Sequence, residues 1–159
     1  MEVKAKKITH ENFGKFGTFL DPYNCGTPIV EGDITYYPDR LPLNFASSTL
    51  ITVSVVVMKK RAFVEQNMEY HERTEEVQGG YNADTVFFVG PPRKEPELSK
   101  FEAFILPKNN WYRTKRGVWH WAPFPIEEDN VLGWCLLPPY TYTNDSISTR
   151  ASDPIKIIL

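Results

Sequence analysis

The sequence has few of the features that mark disulfide-rich, zinc-stabilised or nucleic-acid-binding proteins. Its 159 residues include two cysteines, Cys25 and Cys135, which lie far apart without a zinc-ligand spacing. Neither a disulfide framework nor a structural zinc site is therefore predicted. With 18 basic and 20 acidic side chains the formal charge is -2, which leaves no general electrostatic reason to bind nucleic acid or an anionic membrane.

Long apolar segments are also absent. The longest run, LITVSVVVM at 50–58, is too short to span a bilayer, and its β-branched residues predict a buried strand. Residues 1–16 are charged and polar and lack the apolar region of a secretory signal. The sequence predicts a cytoplasmic protein, and its length predicts a single domain over residues 1–159.

Proline, aromatic and β-branched residues are frequent, which favours many short strands separated by turns. One short helix is expected in THENFGKFG, where Thr9 caps the first turn and Gly14 and Gly17 end it. The segment 140–153 is expected to be a long exposed loop. The chain is thus predicted to be an all-β sandwich or barrel. Its predicted strands are 33–37, 49–58, 62–71, 84–90, 101–107, 118–124, 133–138 and 155–159.

One of the three histidines lies in MEYHERTEEV, residues 68–77. Alternation along the predicted strand places Glu69 and His71 on one face and Tyr70 on the other. Burying such a face costs free energy unless its polar groups pair with each other or hold an ion. If the face is exposed to solvent, the same residues form an ordinary charged surface. The segment alone therefore leaves two interpretations open, a charged strand end or part of a site.

A second histidine lies in RGVWHWAPFP, residues 116–125, where Trp119 and Trp121 flank His120. An apolar neighbourhood disfavours the charged imidazole and leaves a neutral ring that can bind a metal or accept a proton. A core histidine that is hydrogen-bonded to the backbone would show the same pattern. Both interpretations stay open for this segment as well.

Together the two segments resemble the paired motifs of the cupin barrel. In the first cupin motif a histidine-x-histidine precedes an acidic residue; here Glu69 replaces the leading histidine, and Glu75 or Glu76 follows His71. In the second motif a glycine precedes a histidine by three residues, as Gly117 precedes His120. The spacing of roughly fifty residues is compatible with motifs on opposite sides of a small barrel.

The details resemble the ureidoglycolate lyase family more closely. The matching segments are ITHENFGKFGTFLDP at the start, EYH at 69–71, Glu76 near a position usually held by glutamine, and RGVWHWAPFP. The pair Glu75-Glu76 stands where the family usually has serine and glutamine, which makes the expected pocket wall more acidic. The resemblance implies a cupin-like double-stranded β-barrel, or jelly roll, with a short N-terminal helix.

The resemblance also implies an activity, the release of urea from ureidoglycolate to give glyoxylate during allantoin degradation in purine metabolism. Such a carbon-nitrogen lyase needs no organic cofactor. A divalent metal could act as a Lewis acid, and imidazole and carboxylate ligands would suit nickel, manganese, iron or zinc. The implied partners are a small carboxylate substrate and a second copy of the chain in a homodimer.

Roles follow from the resemblance position by position. His71, Glu76 and His120 are the expected metal ligands. His71, His120 and Glu69 are the expected catalytic acid, base or orienting groups. Arg116, Tyr70 and Trp119 are the expected substrate-binding residues, with Arg116 clamping the carboxylate.

Two further functions remain open, a cupin-type sugar isomerase or epimerase and a non-catalytic module that binds a small ligand. A shared metal requires the imidazoles of His71 and His120 to lie within about 8 Å of each other, because Zn–N bonds are about 2 Å long. Family spacing favours Glu76 over Glu75 as the residue that faces inward with them.

Overall fold

Strands dominate the computed structural model, which describes residues 1–44 and 48–159. They make up 48% of the chain, against 7% in helices, and include a closed barrel of six strands. The predicted all-β barrel is therefore confirmed. The strands are β1 (Glu2–Lys7), β2 (Gly17–Leu20), β3 (Ile29–Glu31), β4 (Ile34–Tyr36), β5 (Thr52–Lys59), β6 (Val64–Tyr70), β7 (Glu76–Gly79), β8 (Thr85–Gly90), β9 (Glu102–Leu106), β10 (Trp111–Thr114), β11 (Trp119–His120), β12 (Phe124–Pro125), β13 (Asn130–Leu137) and β14 (Ile147–Ile158).

Among the described residues, helical structure is limited to α1 (His10–Phe13), α2 (Thr141–Asn144) and a 3₁₀ turn at Leu98–Lys100. The predicted cap of α1 is confirmed: the Asn12 amide donates to the Thr9 hydroxyl at 3.2 Å, and the Thr9 amide donates to the Asn12 side chain at 2.9 Å. No helix in the described part of the chain is long and apolar enough to cross a membrane.

The barrel closes through six strands in the order β11-β6-β14-β1-β9-β8, with β8 pairing back onto β11. Its interior is filled by an apolar cluster that includes Met68, Tyr70, Phe88 and Trp119. Because side chains alternate along a strand, the neighbouring residues of the same strands point out of the barrel. This outward face of the wall is where the second layer packs.

The second layer is a five-stranded sheet in the order β2-β10-β7-β13-β5. It packs on the barrel wall through another cluster, in which Phe87 and Phe104 of the wall meet Tyr112 of β10 and Phe13 of α1. The rings of Phe87 and Tyr112 stack at 4.2 Å with an angle of 6° between their planes. β7 lies in the middle of this sheet, so its inward side chains face the barrel wall.

The prediction that residues 50–58 form a buried strand is wrong. β5 lies at the edge of the five-stranded sheet, and Val53, Val55 and Val57 are exposed, whereas Met58 on the other face is buried. A run of β-branched residues favours an extended strand. It does not determine how many layers cover that strand.

Several segments predicted as turns or loops contain regular structure. β7 (EVQG) and β10 (WYRT) lie between the predicted strands, while the predicted loop 140–153 contains α2 and the first part of β14. The predicted strand 118–124 divides into β11 and β12. Glycine misled the prediction at β7: Gly79 has φ +153, and a Cβ there would lie 2.5 Å from the carbonyl oxygen of Asn110. Gly79 therefore permits a close approach of two strands rather than a turn.

Candidate metal centre

The two histidine segments are neighbours in the barrel wall. β11 pairs with β6, and His120 is in register with Glu69. The two motifs therefore lie side by side and not on opposite sides of the barrel, an arrangement with which their spacing is also compatible. His71 directly follows β6, and its carbonyl accepts a hydrogen bond of 2.8 Å from the amide of Gly117. Gly117 has φ +76, a conformation that favours glycine, so the glycine of this motif allows the chain to reach His71.

Glu76 reaches both histidines from β7. Its Oε2 atom lies 2.5 Å from Nε2 of His120 and 3.4 Å from Nε2 of His71. The two imidazole centroids are 5.2 Å apart, which satisfies the distance required for a shared metal. Glu76 is the residue that faces inward, because Glu75 instead pairs with Arg113 at 3.0 Å. These two neighbours thus lie in different environments.

The orientation of both imidazoles is set by backbone carbonyls. Nδ1 of His71 lies 2.8 Å from the carbonyl oxygen of Asp145, and Nδ1 of His120 lies 2.8 Å from that of Val118. A carbonyl can only accept, so each Nδ1 carries a hydrogen and each Nε2 is directed at Glu76. This arrangement of Nδ1 is typical of histidines that bind a metal through Nε2.

Three buried polar atoms therefore converge, namely Nε2 of His71, Nε2 of His120 and Oε2 of Glu76, and none of them has a hydrogen-bond partner outside this group of three. The three residues are only 5%, 2% and 6% exposed. If both rings were neutral, three lone pairs would face one another at short range. A cation between them, either a proton or a metal ion, makes the arrangement favourable.

The pKa values follow this logic in the absence of a metal. Burial alone lowers the pKa of His71, but the hydrogen bond and negative charge of Glu76 outweigh it and raise the value from 6.5 to about 9. Burial raises the pKa of Glu76, and the adjacent His120 and His71 outweigh that effect and hold it well below 4.5. The cluster thus holds an ionised carboxylate beside a protonated imidazole when no metal is present.

The cluster could also hold a metal ion. One ligand atom from each of Glu69, His71 and His120 lies within 4.8 Å of the others. Two ligands of a tetrahedral ion with bonds of about 2 Å lie roughly 3.3 Å apart. Glu76 already meets this spacing with His71, while its separation from His120 is that of a hydrogen bond. Imidazole and carboxylate ligands are compatible with nickel, manganese, iron or zinc.

A buried hydrogen-bond network holds the other oxygen of Glu76. The Gln78 amide and the Cys135 thiol each donate to Oε1 of Glu76 at 2.9 Å, and the Tyr81 hydroxyl donates to Gln78 at 2.8 Å. Burial and the charge of Glu76 raise the pKa of the Cys135 thiol, so this thiol remains a donor. The network turns Oε2 of Glu76 towards the histidines.

Segment 145–146 supports the rest of the centre. Besides its carbonyl bond to His71, Asp145 accepts hydrogen bonds through its carboxylate from the amides of Glu72 and Arg73. The Ser146 hydroxyl donates to Glu69. Sequence reasoning missed these two residues, as well as Gln78 and Cys135. Of these four residues, only Gln78 could have been found from the sequence. It lies two positions after Glu76, so in a strand both side chains point to the same face.

The structure does not bring the other predicted site residues to the histidines. Tyr70 and Trp119 point into the barrel interior, where their rings meet at 4.5 Å, because strand alternation turns them away from Glu69 and His120. Arg116 is exposed and lines a surface cavity with Tyr70 and Arg93. The predicted centre is thus assembled from the histidines and glutamates.

Comparison with protein-family models finds no match to this chain, and none of the curated proteins is significantly similar to it.

Proposed function

We propose that this protein is a divalent-metal-dependent carbon-nitrogen lyase of the ureidoglycolate type, acting on ureidoglycolate or a related small hydroxy-acid amide. The observation that carries the proposal is the convergence of Nε2 of His71, Nε2 of His120 and Oε2 of Glu76 on one buried point. These residues belong to the segments on which the resemblance to the ureidoglycolate lyase family rests.

His71, His120 and Glu76 would hold the metal, which when bound would act as a Lewis acid on the substrate hydroxyl. The carbonyls of Asp145 and Val118 orient the two imidazoles, and the network around Oε1 orients Glu76. The chain thereby holds its ligands in place before substrate arrives, which lowers the cost of reorganisation during the reaction.

Glu69 is the group best suited to move the proton. It is only partly buried, lies beside the histidines and is oriented by the Ser146 hydroxyl. Its carboxylate would remove the proton from the hydroxyl on the central carbon. The oxygen electrons then form the carbonyl of glyoxylate while the carbon-nitrogen bond breaks, and the same proton passes to the departing nitrogen to complete urea.

Metal analysis combined with an assay of glyoxylate and urea release from ureidoglycolate tests the proposal. We expect about one divalent ion per chain. The His71→Ala and His120→Ala variants should lose at least about 100-fold in turnover, because each removes a ligand. The third histidine supplies the matched control: His10 is exposed on α1, and His10→Ala should keep both metal and activity. Equal loss in all three variants, or turnover without metal, would contradict the proposal.

The expected role of Arg116 in binding the substrate carboxylate is tested separately. If Arg116 binds the carboxylate as the resemblance implies, Arg116→Ala should raise KM, whereas Lys94→Ala, at a side chain that lines the same surface cavity, should leave KM unchanged. An unchanged KM in Arg116→Ala would remove Arg116 from the substrate site without affecting the metal centre.

A second candidate is a non-catalytic metal-binding module. It is favoured by the near-complete burial of His71, His120 and Glu76, which leaves little room for a substrate beside the ion. Stoichiometric metal binding with no turnover of ureidoglycolate would favour this candidate over the lyase. Metal binding together with turnover would exclude it.

A further inference from the structure

Two apolar surfaces are exposed in the part of the chain that the structure describes. The first, which we call the β5–β13 face, consists of Val53, Val55 and Val57 with their neighbours Leu132 and Trp134. The three valines are between 57% and 63% exposed. β5 is also the last strand of its sheet, so no described strand pairs with its second edge. Natural proteins usually protect such an edge with charges or a covering element.

The second surface belongs to the hairpin of β3 and β4, which forms a separate two-stranded sheet. The register places Ile29 opposite Tyr36 and Glu31 opposite Ile34, so these four residues share one face, with Glu31 at the end nearest the turn. The three apolar residues Ile29, Ile34 and Tyr36 are 56%, 68% and 59% exposed. A two-stranded hairpin is marginal by itself in water, and an apolar face on it calls for a covering surface.

The resemblance already implies a homodimer; we infer its interface, in which the β3–β4 hairpin of each copy packs on the β5–β13 face of the other. Both halves of this contact are present in one chain, and each lacks a cover among the described residues. In a two-fold dimer this contact would form twice, once with the hairpin of each copy.

The exposed areas match what a dimer requires. The β5–β13 face leaves on the order of 450 Å² uncovered and the hairpin face on the order of 400 Å², taking about 150–250 Å² for a fully exposed residue of these sizes. A reciprocal exchange therefore buries roughly 800 Å² per copy, which is the standard size for a stable interface. Pairing through the hairpins alone would bury only about half of that area.

Charge complementarity sets the direction of the contact. Glu31 ends β3 and Asp33 lies in the hairpin turn, while Lys59 ends β5 and Lys60 follows it; all four are exposed. A hairpin that lies along β5 with its turn towards Lys59 brings opposite charges together at the end of an apolar contact. Charges placed at the rim in this way favour one orientation over others.

Light scattering with size-exclusion chromatography on the full chain tests the inference. Wild type should have the mass of a dimer. Val55→Lys on the face and Ile34→Lys on the hairpin should each give monomers, because each places a charge in both copies of the contact. Val64→Lys, an exposed valine on β6, and Thr35→Lys, on the opposite face of the hairpin, should remain dimeric.

Mixing the two disrupted variants distinguishes exchange from other dimers. A Val55→Lys copy retains an intact hairpin and an Ile34→Lys copy retains an intact face, so their mixture should form heterodimers through one intact contact. Cross-linking tests the same contact without any variant. A zero-length carbodiimide should join Asp33 of one wild-type copy to Lys59 of the other, and this link should be found in the dimer band. A monomeric wild type, a dimeric Ile34→Lys variant, failure of the mixture to associate, or absence of this link from the dimer would each overturn the exchange.

Discussion

Replacing Glu76 with glutamine keeps the shape of the side chain and removes the charge on which both imidazoles converge. In the metal-free protein this charge and its hydrogen bond raise the pKa of His71 from 6.5 to about 9 against the opposing effect of burial. A difference of this size corresponds to about 3 kcal/mol of folding free energy at a pH where His71 is protonated only in the folded state. For a chain of this length we expect Glu76→Gln to lower Tm by about 6–12 °C at pH 7.

The same substitution should weaken metal binding by at least about 100-fold, because an amide replaces a carboxylate ligand. Glu75→Gln is the matched control one position earlier. Glu75 accepts from Arg113 and from the Asn44 amide, and glutamine keeps an acceptor oxygen for these donors. We expect Glu75→Gln to leave the metal affinity within about threefold of wild type and to cost about 1 kcal/mol.

The measurement is a Zn²⁺ titration of metal-free wild type, Glu76→Gln and Glu75→Gln against a competing chelator, together with thermal unfolding with and without Zn²⁺. Zn²⁺ should raise the Tm of wild type and Glu75→Gln far more than that of Glu76→Gln, because a ligand stabilises the folded state according to its affinity. If both variants lose affinity equally, or if neither does, Glu76 is not the ligand and the assignment of the inward-facing glutamate fails.

Three further outcomes follow from particular contacts. The stabilisation from protonated His71 is complete below pH 6.5 and is lost as the pH rises to about 9. The Tm of the metal-free protein should therefore fall across this pH range. A Tm that rises there would contradict the pairing of His71 with the carboxylate of Glu76. Gly133→Ala would place a Cβ 1.9 Å from the buried Tyr81 ring, and chemical denaturation should show a loss of about 2–3 kcal/mol; a neutral effect would mean that the ring can move aside. A thiol reagent should label half-buried Cys25 well before buried Cys135 in native protein, measured by mass spectrometry; equal rates would show that the network beside the centre is open.

Predictions that depended on local patterns agree with the structure. Thr9 caps α1 because its hydroxyl and the Asn12 side chain are close in sequence. The period of two along β6 correctly separated Glu69 from Met68 and Tyr70, which lie in the barrel interior. The expected ligands His71, Glu76 and His120, which the resemblance implied, lie together in the structure.

Predictions that depended on what lies beside or above a strand did not agree. The valines of β5 have the composition of a buried strand, yet no described layer covers their outer face. The glycine and polar residues of the segments that form β7 and β10 have turn chemistry and predict turns there. Within the five-stranded sheet the same residues form close strand contacts.

The sequence alone therefore determined the secondary-structure class, the capped helix and the faces of individual strands, because these depend on dihedral preferences and alternation over a few residues. Tertiary structure decided that β6 and β11 are neighbours, that Glu76 rather than Glu75 reaches the histidines, and that Gln78 and Cys135 support it. These contacts join residues up to 59 positions apart. They arise from strand pairing and from the need to satisfy buried polar groups, which no local pattern encodes.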